Sequence, residues 1–99
     1  MSRPSAMTRD AAEALAIEVL GFLAGDPGRL GRFLALTGLG PAQLREAARE
    51  PGFLAGILDH IVADERLLLL FADTAGRDPS DVKRAQTVMS GRTWERTDP

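Results

Sequence analysis

Two stretches of the sequence decide the fold: DPGRLGRFLALTGLGP at residues 26–41 and DERLLLLFADTAGRDP at residues 64–79. Each begins with an Asp, which is a preferred helix N-cap, and carries a Phe at its centre. Each then reaches a Gly, the residue that commonly closes a helix in the left-handed conformation. Each ends at a Pro, which is favoured in the first turn of the next helix. The pattern predicts two helix–turn–helix pairs of similar shape.

Helix signals continue outside these two stretches. Asp10, followed three residues later by Glu13, predicts the N-cap of a first helix that ends near Gly25. A third helix begins at Pro41 and has to stop before Pro51, because the residue that precedes a proline disfavours the helical conformation.

Apolar residues recur at helical spacing in these segments and in a fourth helix around residues 53–61. A last helix opens at Asp78-Pro79 and ends at Gly91. The positions expected to face the core are Ala12, Leu15, Ala16, Val19, Phe22, Leu23, Leu30, Phe33, Leu34, Thr37, Leu44, Ala47, Ala48, Phe53, Leu54, Ile57, Leu58, Ile61, Leu67, Leu68, Phe71, Ala75, Val82, Ala85 and Met89.

The fold class predicted from these signals is all-α, a compact bundle of five to six short helices. A chain of 99 residues has room for one core only. Four Phe and one Trp against an abundance of Ala and Leu favour closely packed helices over a sheet. We expect a flexible N-terminal segment at residues 1–9, a helical domain at 10–91 and a polar C-terminal tail at 92–99.

The two halves of the chain match at a constant offset of 38 residues. Identical residues pair as Leu20/Leu58, Asp26/Asp64, Leu30/Leu68, Phe33/Phe71, Gly38/Gly76, Pro41/Pro79 and Ala47/Ala85. The matches include the caps, the central Phe and the helix-ending Gly, which predicts two three-helix halves of like shape. The alternative is that any two helix–turn–helix pairs share such caps.

Composition excludes several classes of function. Twelve basic and fourteen acidic residues give a net charge of −2, so the chain has no excess of positive charge that would attract phosphate groups or a membrane surface. With no Cys and one His, thiolate and multi-His metal sites are excluded. The cluster of Asp59, His60, Asp64 and Glu65 offers too few ligands for a defined site. We expect no enzyme, no cofactor, no metal, no small-molecule substrate and no membrane contact, and a cytoplasmic location.

Several apolar residues fall outside the inward stripes. Leu69 falls between Glu65 and Asp73 on the charged side of its helix, with Leu70 beside Arg66, and Ile17 lies away from the main stripe of the first helix. Leu36 and Trp94, the one Trp and part of the polar tail, complete the set. They predict a non-enzymatic protein–protein interaction or assembly module, whose partner is another protein or a second copy. Trp94 either folds back onto the domain or anchors the partner.

An alternative is nucleic-acid binding. The turn Gly38-Leu39-Gly40 resembles the hairpin of helix-hairpin-helix motifs, whose backbone N–H groups bind a phosphate. Further phosphate contacts would come from Arg29, Arg32, Arg45 and Arg49. Leu44 departs from that motif, which has a small residue there, and an ordinary helix end followed by a helix start explains the same turn without a ligand.

Over residues 10–99 the chain resembles a family of short, uncharacterised bacterial proteins. The resemblance rests on LGFLAGDP at 20–27, LGRFLALTG at 30–38, PGFLA at 51–55 and WER at 94–96. It implies a small helical cytoplasmic protein. The family is a domain of unknown function, so it supplies no catalytic or binding residue.

Overall fold

Six α-helices form the computed structural model, which describes residues 7–90. No β-strand occurs within that range, so the prediction of an all-α bundle is confirmed. The helices are α1 (Arg9–Ala24), α2 (Pro27–Thr37), α3 (Pro41–Ala47), α4 (Pro51–Ala63), α5 (Glu65–Ala75) and α6 (Pro79–Ser90). The predicted N-terminal segment up to residue 6, the helix end at Gly91 and the tail at 92–99 lie outside the described residues.

Helices α2 and α5 have the same length and begin and end in the same way. The carboxylates of Asp26 and Asp64 accept backbone N–H groups of the first turn, at 2.8 and 3.2 Å. Gly38 and Gly76 end the two helices with φ of 78° and 67°, in the left-handed region that glycine adopts without a steric penalty. The bounds of the two helices differ by the 38 residues of the sequence offset.

The predicted start of α1 is wrong by two residues. The N-cap is Thr8, whose Oγ1 accepts a hydrogen bond of 3.0 Å from the backbone N–H of Ala11. Asp10 lies inside the first turn, where a negative charge is favourable beside the positive end of the helix dipole. Thr and Asp both cap helices well, and the earlier of the two residues does so here.

The core lies between α1, α4 and α6, which pack against one another. Helix α2 packs on α1 and helix α5 packs on α4, so each half has its second helix in an equivalent place. The most buried apolar residues are Ala12, Leu15, Ala16, Val19, Leu23, Phe33, Leu54, Ile57, Leu58, Ile61, Leu68, Phe71, Ala72, Val82, Ala85 and Met89.

Two predicted core residues are exposed, Thr37 and Ala75, and those predictions are wrong. Each is the last residue of its helix, where the chain turns away from the bundle. The Thr37 hydroxyl serves that turn, because it donates to the carbonyl of Leu34 (3.2 Å) and accepts from the N–H of Leu39 (3.3 Å).

Two equivalent ring contacts join the halves. The rings of Phe22 and Phe71 meet edge to face, with centroids 5.4 Å apart and planes at 69°. His60 and Phe33 meet in the same way, at 5.0 Å and 70°. These four residues pair at the offset of 38, as Phe22 with His60 and Phe33 with Phe71. Each half therefore places a ring of its first helix against the Phe of the other half, as a pseudo-two-fold arrangement requires.

The third helices of the two halves, α3 and α6, are not equivalent. Helix α6 contributes Val82, Ala85 and Met89 to the core, whereas no residue of α3 is fully buried. The predicted inward residues of α3, Leu44 and Ala47, are only partly buried, as is Ala48 just after it. The likeness of the two halves thus holds for their first two helices.

Candidate functional site

A groove of about 350 Å³ lies between the N-terminal ends of α2 and α5, and we call it the α2/α5 groove. One side of the groove is closed by His60, a single residue from the C-terminal part of α4. The lining residues are Asp26, Gly28, Arg29, Arg32, His60, Asp64, Arg66, Leu67 and Leu70.

All of the lining residues except His60 pair at the 38-residue offset, as 26/64, 28/66, 29/67 and 32/70. The groove therefore lies where the equivalent helix starts of the two halves meet. Only the capping Asp is the same in both halves. Arg29 and Arg32 on the α2 wall correspond to Leu67 and Leu70 on the α5 wall, so α2 contributes two of the three arginines and α5 contributes both leucines beside Arg66.

The three arginines of the groove differ in how firmly the chain holds them. The Arg29 guanidinium lies 3.8 Å from the Asp26 carboxylate and 4.5 Å from the centroid of the Phe22 ring. Arg32 and Arg66 form no ion pair with any residue in the range 7–90. Their guanidinium groups are the donors that the groove offers to a ligand.

His60 enters the groove from α4 with its ring edge-on to Phe33. Burial lowers the pKa of His60 below its ordinary value of 6.5, because it disfavours the charged imidazolium. The nearby Asp64 acts in the opposite direction and Arg32 in the same direction. The imidazole is therefore neutral at pH 7.

Of the cluster of Asp59, His60, Asp64 and Glu65, His60 and Asp64 line the groove, whereas Asp59 and Glu65 do not. Asp59 accepts a hydrogen bond of 2.8 Å from the side-chain amide of Gln86 on α6. Asp64 caps α5. Within residues 7–90 no group of three His, Asp or Glu side chains is placed to hold a metal ion.

A second, more open pocket of about 400 Å³ lies against the other side of α5. It is lined by Leu69, Ala72, Asp73, Gly76, Arg77 and Pro79. Its Arg77 is tied to Glu18 of α1 by two hydrogen bonds of 2.8 and 2.7 Å. The hydrogen bond from Arg77 lowers the pKa of Glu18, so this ion pair is formed at neutral pH.

The outer face of α5 lies between the two pockets. Leu70 borders the α2/α5 groove and is 42% exposed, whereas Leu69 borders the second pocket and is 50% exposed. Consecutive residues of a helix point about 100° apart, which directs these two side chains to the two edges of the face. The outer face of α5 thus carries two adjacent exposed leucines, with a hollow on each side, among the exposed Glu65, Arg66 and Asp73.

The residues predicted as a partner surface are on three helices. Ile17 of α1 and Leu36 of α2 are 47% and 70% exposed, and neither lines the two pockets. Of that set, Leu69 lines one of these two pockets, and Trp94 lies outside the described residues. Leu70, which helical spacing places beside Arg66, is not among the residues predicted for the partner surface.

The turn predicted to bind phosphate uses its N–H groups within the chain. The N–H of Gly38 donates to the carbonyl of Leu34 at 2.8 Å. The N–H of Leu39 donates to Thr37 at 3.3 Å, and that of Gly40 donates to the Gln43 side chain at 2.8 Å. A phosphate at this turn would have to displace three acceptors that the chain itself supplies.

The four arginines predicted to assist that turn are divided between the α2/α5 groove and the region of α3. Arg29 and Arg32 line the α2/α5 groove. Arg45 is on α3 and Arg49 follows it, and neither lines the groove. The structure therefore joins two of the four with Arg66, which the sequence analysis did not select.

The helices of the described part of the chain, residues 7–90, include none with both the length and the apolar character needed to cross a bilayer.

Comparison with known proteins identifies a family. A family model described as "Protein of unknown function (DUF3572)" matches residues 9–92, which include all six helices. No curated protein and no solved structure matches the chain. The predicted likeness to a domain of unknown function is confirmed, and the chain belongs to the DUF3572 family.

Proposed function

We propose that this protein is a non-enzymatic binding module whose partner is a segment of another protein, bound along the outer face of α5. The observation that carries the proposal is the exposed pair Leu69 and Leu70, with a pocket on each side of the helix. Single exposed leucines are common on protein surfaces. Two neighbouring ones between two hollows offer a ridge that a partner can enclose, and such burial contributes about 25 cal/mol per Å² of apolar area.

The charge beside this ridge favours one kind of occupant. Arg32 and Arg66 lie next to Leu70 in the groove, and the chain supplies no ion-pair partner for them within residues 7–90. A partner segment with negative charge would be steered to this face and held in register. A second copy of this chain is the competing occupant and is an outcome of the test below.

The proposal is for binding rather than catalysis because the carboxylates, the imidazole and one of the three arginines of the groove are held by contacts within the fold. Asp26 and Asp64 cap helices, and Arg29 is held by Asp26 and Phe22. His60 packs on Phe33. These contacts support a surface that recognises a ligand without reacting with it.

The test compares three single variants of the purified full-length chain: Leu69→Glu, Leu70→Glu and the matched control Leu36→Glu. Leu36 is more exposed than either, and it lines neither of the two pockets. A protein captured from native lysate is identified and purified, and its dissociation constant is measured with each variant. Circular dichroism confirms that each variant is folded.

We expect Leu70→Glu and Leu69→Glu to weaken binding about tenfold or more, and Leu36→Glu to change it less than about twofold. Equal loss in all three variants would contradict the assignment to α5. Concentration-dependent dimerisation that only the α5 variants abolish, in sedimentation experiments, would replace the separate partner with a second copy.

A further inference from the structure

We infer that the α2/α5 groove is a carboxylate-binding subsite, so that the partner segment is acidic as well as apolar. This inference rests on the proposed function and names the chemistry of its partner. Three properties of the groove support it: its free donors, its net charge and its two leucines.

The free donors are the guanidinium groups of Arg32 and Arg66. They come from opposite walls, because Arg32 belongs to α2 and Arg66 to α5. Neither forms an ion pair with a described residue. A guanidinium offers parallel N–H groups that match the two oxygens of a carboxylate. Two such groups facing one groove provide donors for a single carboxylate from both sides.

The N-terminal ends of α2 and α5 do not provide hydrogen-bond donors to this subsite. The N–H groups at the start of α2 and α5 already donate to the carboxylates of Asp26 and Asp64. These carboxylates also limit the charge of the groove. Three arginines against two aspartates leave one net positive charge while His60 is neutral. One excess charge matches a carboxylate, which carries one negative charge, better than a phosphate group that carries nearly two.

The two leucines of the groove indicate which side chain the partner presents beside its carboxylate. Leu67 and Leu70 line the α5 side of the groove, across from Arg29 and Arg32. The groove volume of about 350 Å³ exceeds what one acidic side chain fills, and it falls in the range of small-ligand pockets. The ligand we infer is a peptide in which Asp or Glu lies close to an aliphatic or aromatic residue.

The test is a selection from a library of random decapeptides displayed on phage, with the full-length chain as bait. The bait is used as the wild type, as the double variant Arg32→Glu/Arg66→Glu and as the matched control Arg45→Glu/Arg49→Glu. Both double variants change the net charge by the same amount, but the control residues lie outside the groove. Far-ultraviolet circular dichroism and urea denaturation verify that each bait is folded.

We expect the wild type to enrich peptides that carry Asp or Glu within three positions of Leu, Ile, Met or Phe. A synthetic consensus peptide, followed by fluorescence anisotropy, should bind the groove variant at least about tenfold more weakly and the control within about twofold. The neutral pair Arg32→Gln/Arg66→Gln should also weaken binding, which separates the loss of donors from the repulsion by introduced carboxylates.

The contrary outcomes separate this inference from the proposed function. Enriched peptides without acidic residues, whose binding is lost in Leu70→Glu but kept in the groove variant, would overturn the carboxylate subsite alone. No enrichment on the wild type would overturn both. If a phosphoserine at the acidic position bound tenfold more tightly than Asp or Glu, the groove would be a phosphate site and the inference would be wrong.

Discussion

The two equivalent ring contacts predict equal coupling energies in two double-mutant cycles. The first cycle combines Phe22→Leu with Phe71→Leu, and the second combines His60→Leu with Phe33→Leu. Phe33 and Phe71 are each 1% exposed, so alanine at either position would cost about 3–5 kcal/mol of a total stability of about 5–15 kcal/mol. Leucine keeps more of the apolar volume, so the double variants are expected to remain folded.

The expected magnitude follows from the geometry of the rings. Centroids at 5.4 and 5.0 Å and planes at 69° and 70° are favourable edge-to-face arrangements. Such pairs contribute about 0.5–1.5 kcal/mol beyond the burial of their area. Because the two contacts have similar centroid distances and interplanar angles, we expect coupling energies within that range that agree to about 0.5 kcal/mol.

The assay is urea denaturation at pH 7.5, where His60 is neutral. Unfolding is monitored by far-ultraviolet circular dichroism. A denaturant slope of about 1–3 kcal/mol per molar makes a coupling of 1 kcal/mol visible as a midpoint shift of several tenths molar. The pair Phe22→Leu and Phe33→Leu is the control, since no ring contact joins these residues, and its effects should add. A coupling near zero in one cycle and near 1 kcal/mol in the other would refute the pseudo-two-fold arrangement.

Four further predictions follow from single features of the fold. The native pKa of His60 is lowered, so the unfolded chain takes up the proton first; urea stability should fall as the pH drops from about 7.5 past 6.5, and His60→Gln should remove that slope. Gly76→Ala should cost about 1–2 kcal/mol because φ is +67°, whereas Gly31→Ala, in open space within α2, should stabilise by about 0.5–1 kcal/mol in the same thermal or urea assay. Arg77→Met should cost at most about 1 kcal/mol at pH 7, because the ion pair with Glu18 is partly exposed, and nuclear magnetic resonance titration should show the pKa of Glu18 rising towards its ordinary value. Duplex DNA at about 50 mM salt should show no mobility shift, because the amides of the turn between α2 and α3 already have acceptors.

The helix ends were predictable because their causes are local. An Asp before a Pro at residues 26–27 caps α2 whatever it packs against, and a Gly at 38 or 76 ends a helix because few other residues tolerate its φ. The start of α1 shows the limit of this reasoning. Thr8 and Asp10 are both good caps, and no rule of local preference decides between them.

The groove could not be predicted from single helices, because it arises where two helix starts from different halves meet. Arg66 and Leu67 follow the Asp64 cap, and the sequence alone gives no reason to place them opposite Arg29 and Arg32. A signal was nevertheless present in the offset of 38 residues. Once the halves are placed around a pseudo-two-fold axis, equivalent residues near that axis face each other, and the positions just after the two capping aspartates become neighbours.

The positions at which the two halves differ are the ones that support binding at this groove. Positions that build the fold are identical in both halves, as with the capping Asp and the central Phe. Positions that line the groove differ, with Arg against Leu at 29/67 and 32/70 and Gly against Arg at 28/66. Arginines at all of these positions would repel one another, and leucines at all of them would pack together and leave no groove. The observed mixture places Leu67 and Leu70 where they can contact an apolar side chain of a bound segment, while its carboxylate lies between Arg32 of α2 and Arg66 of α5.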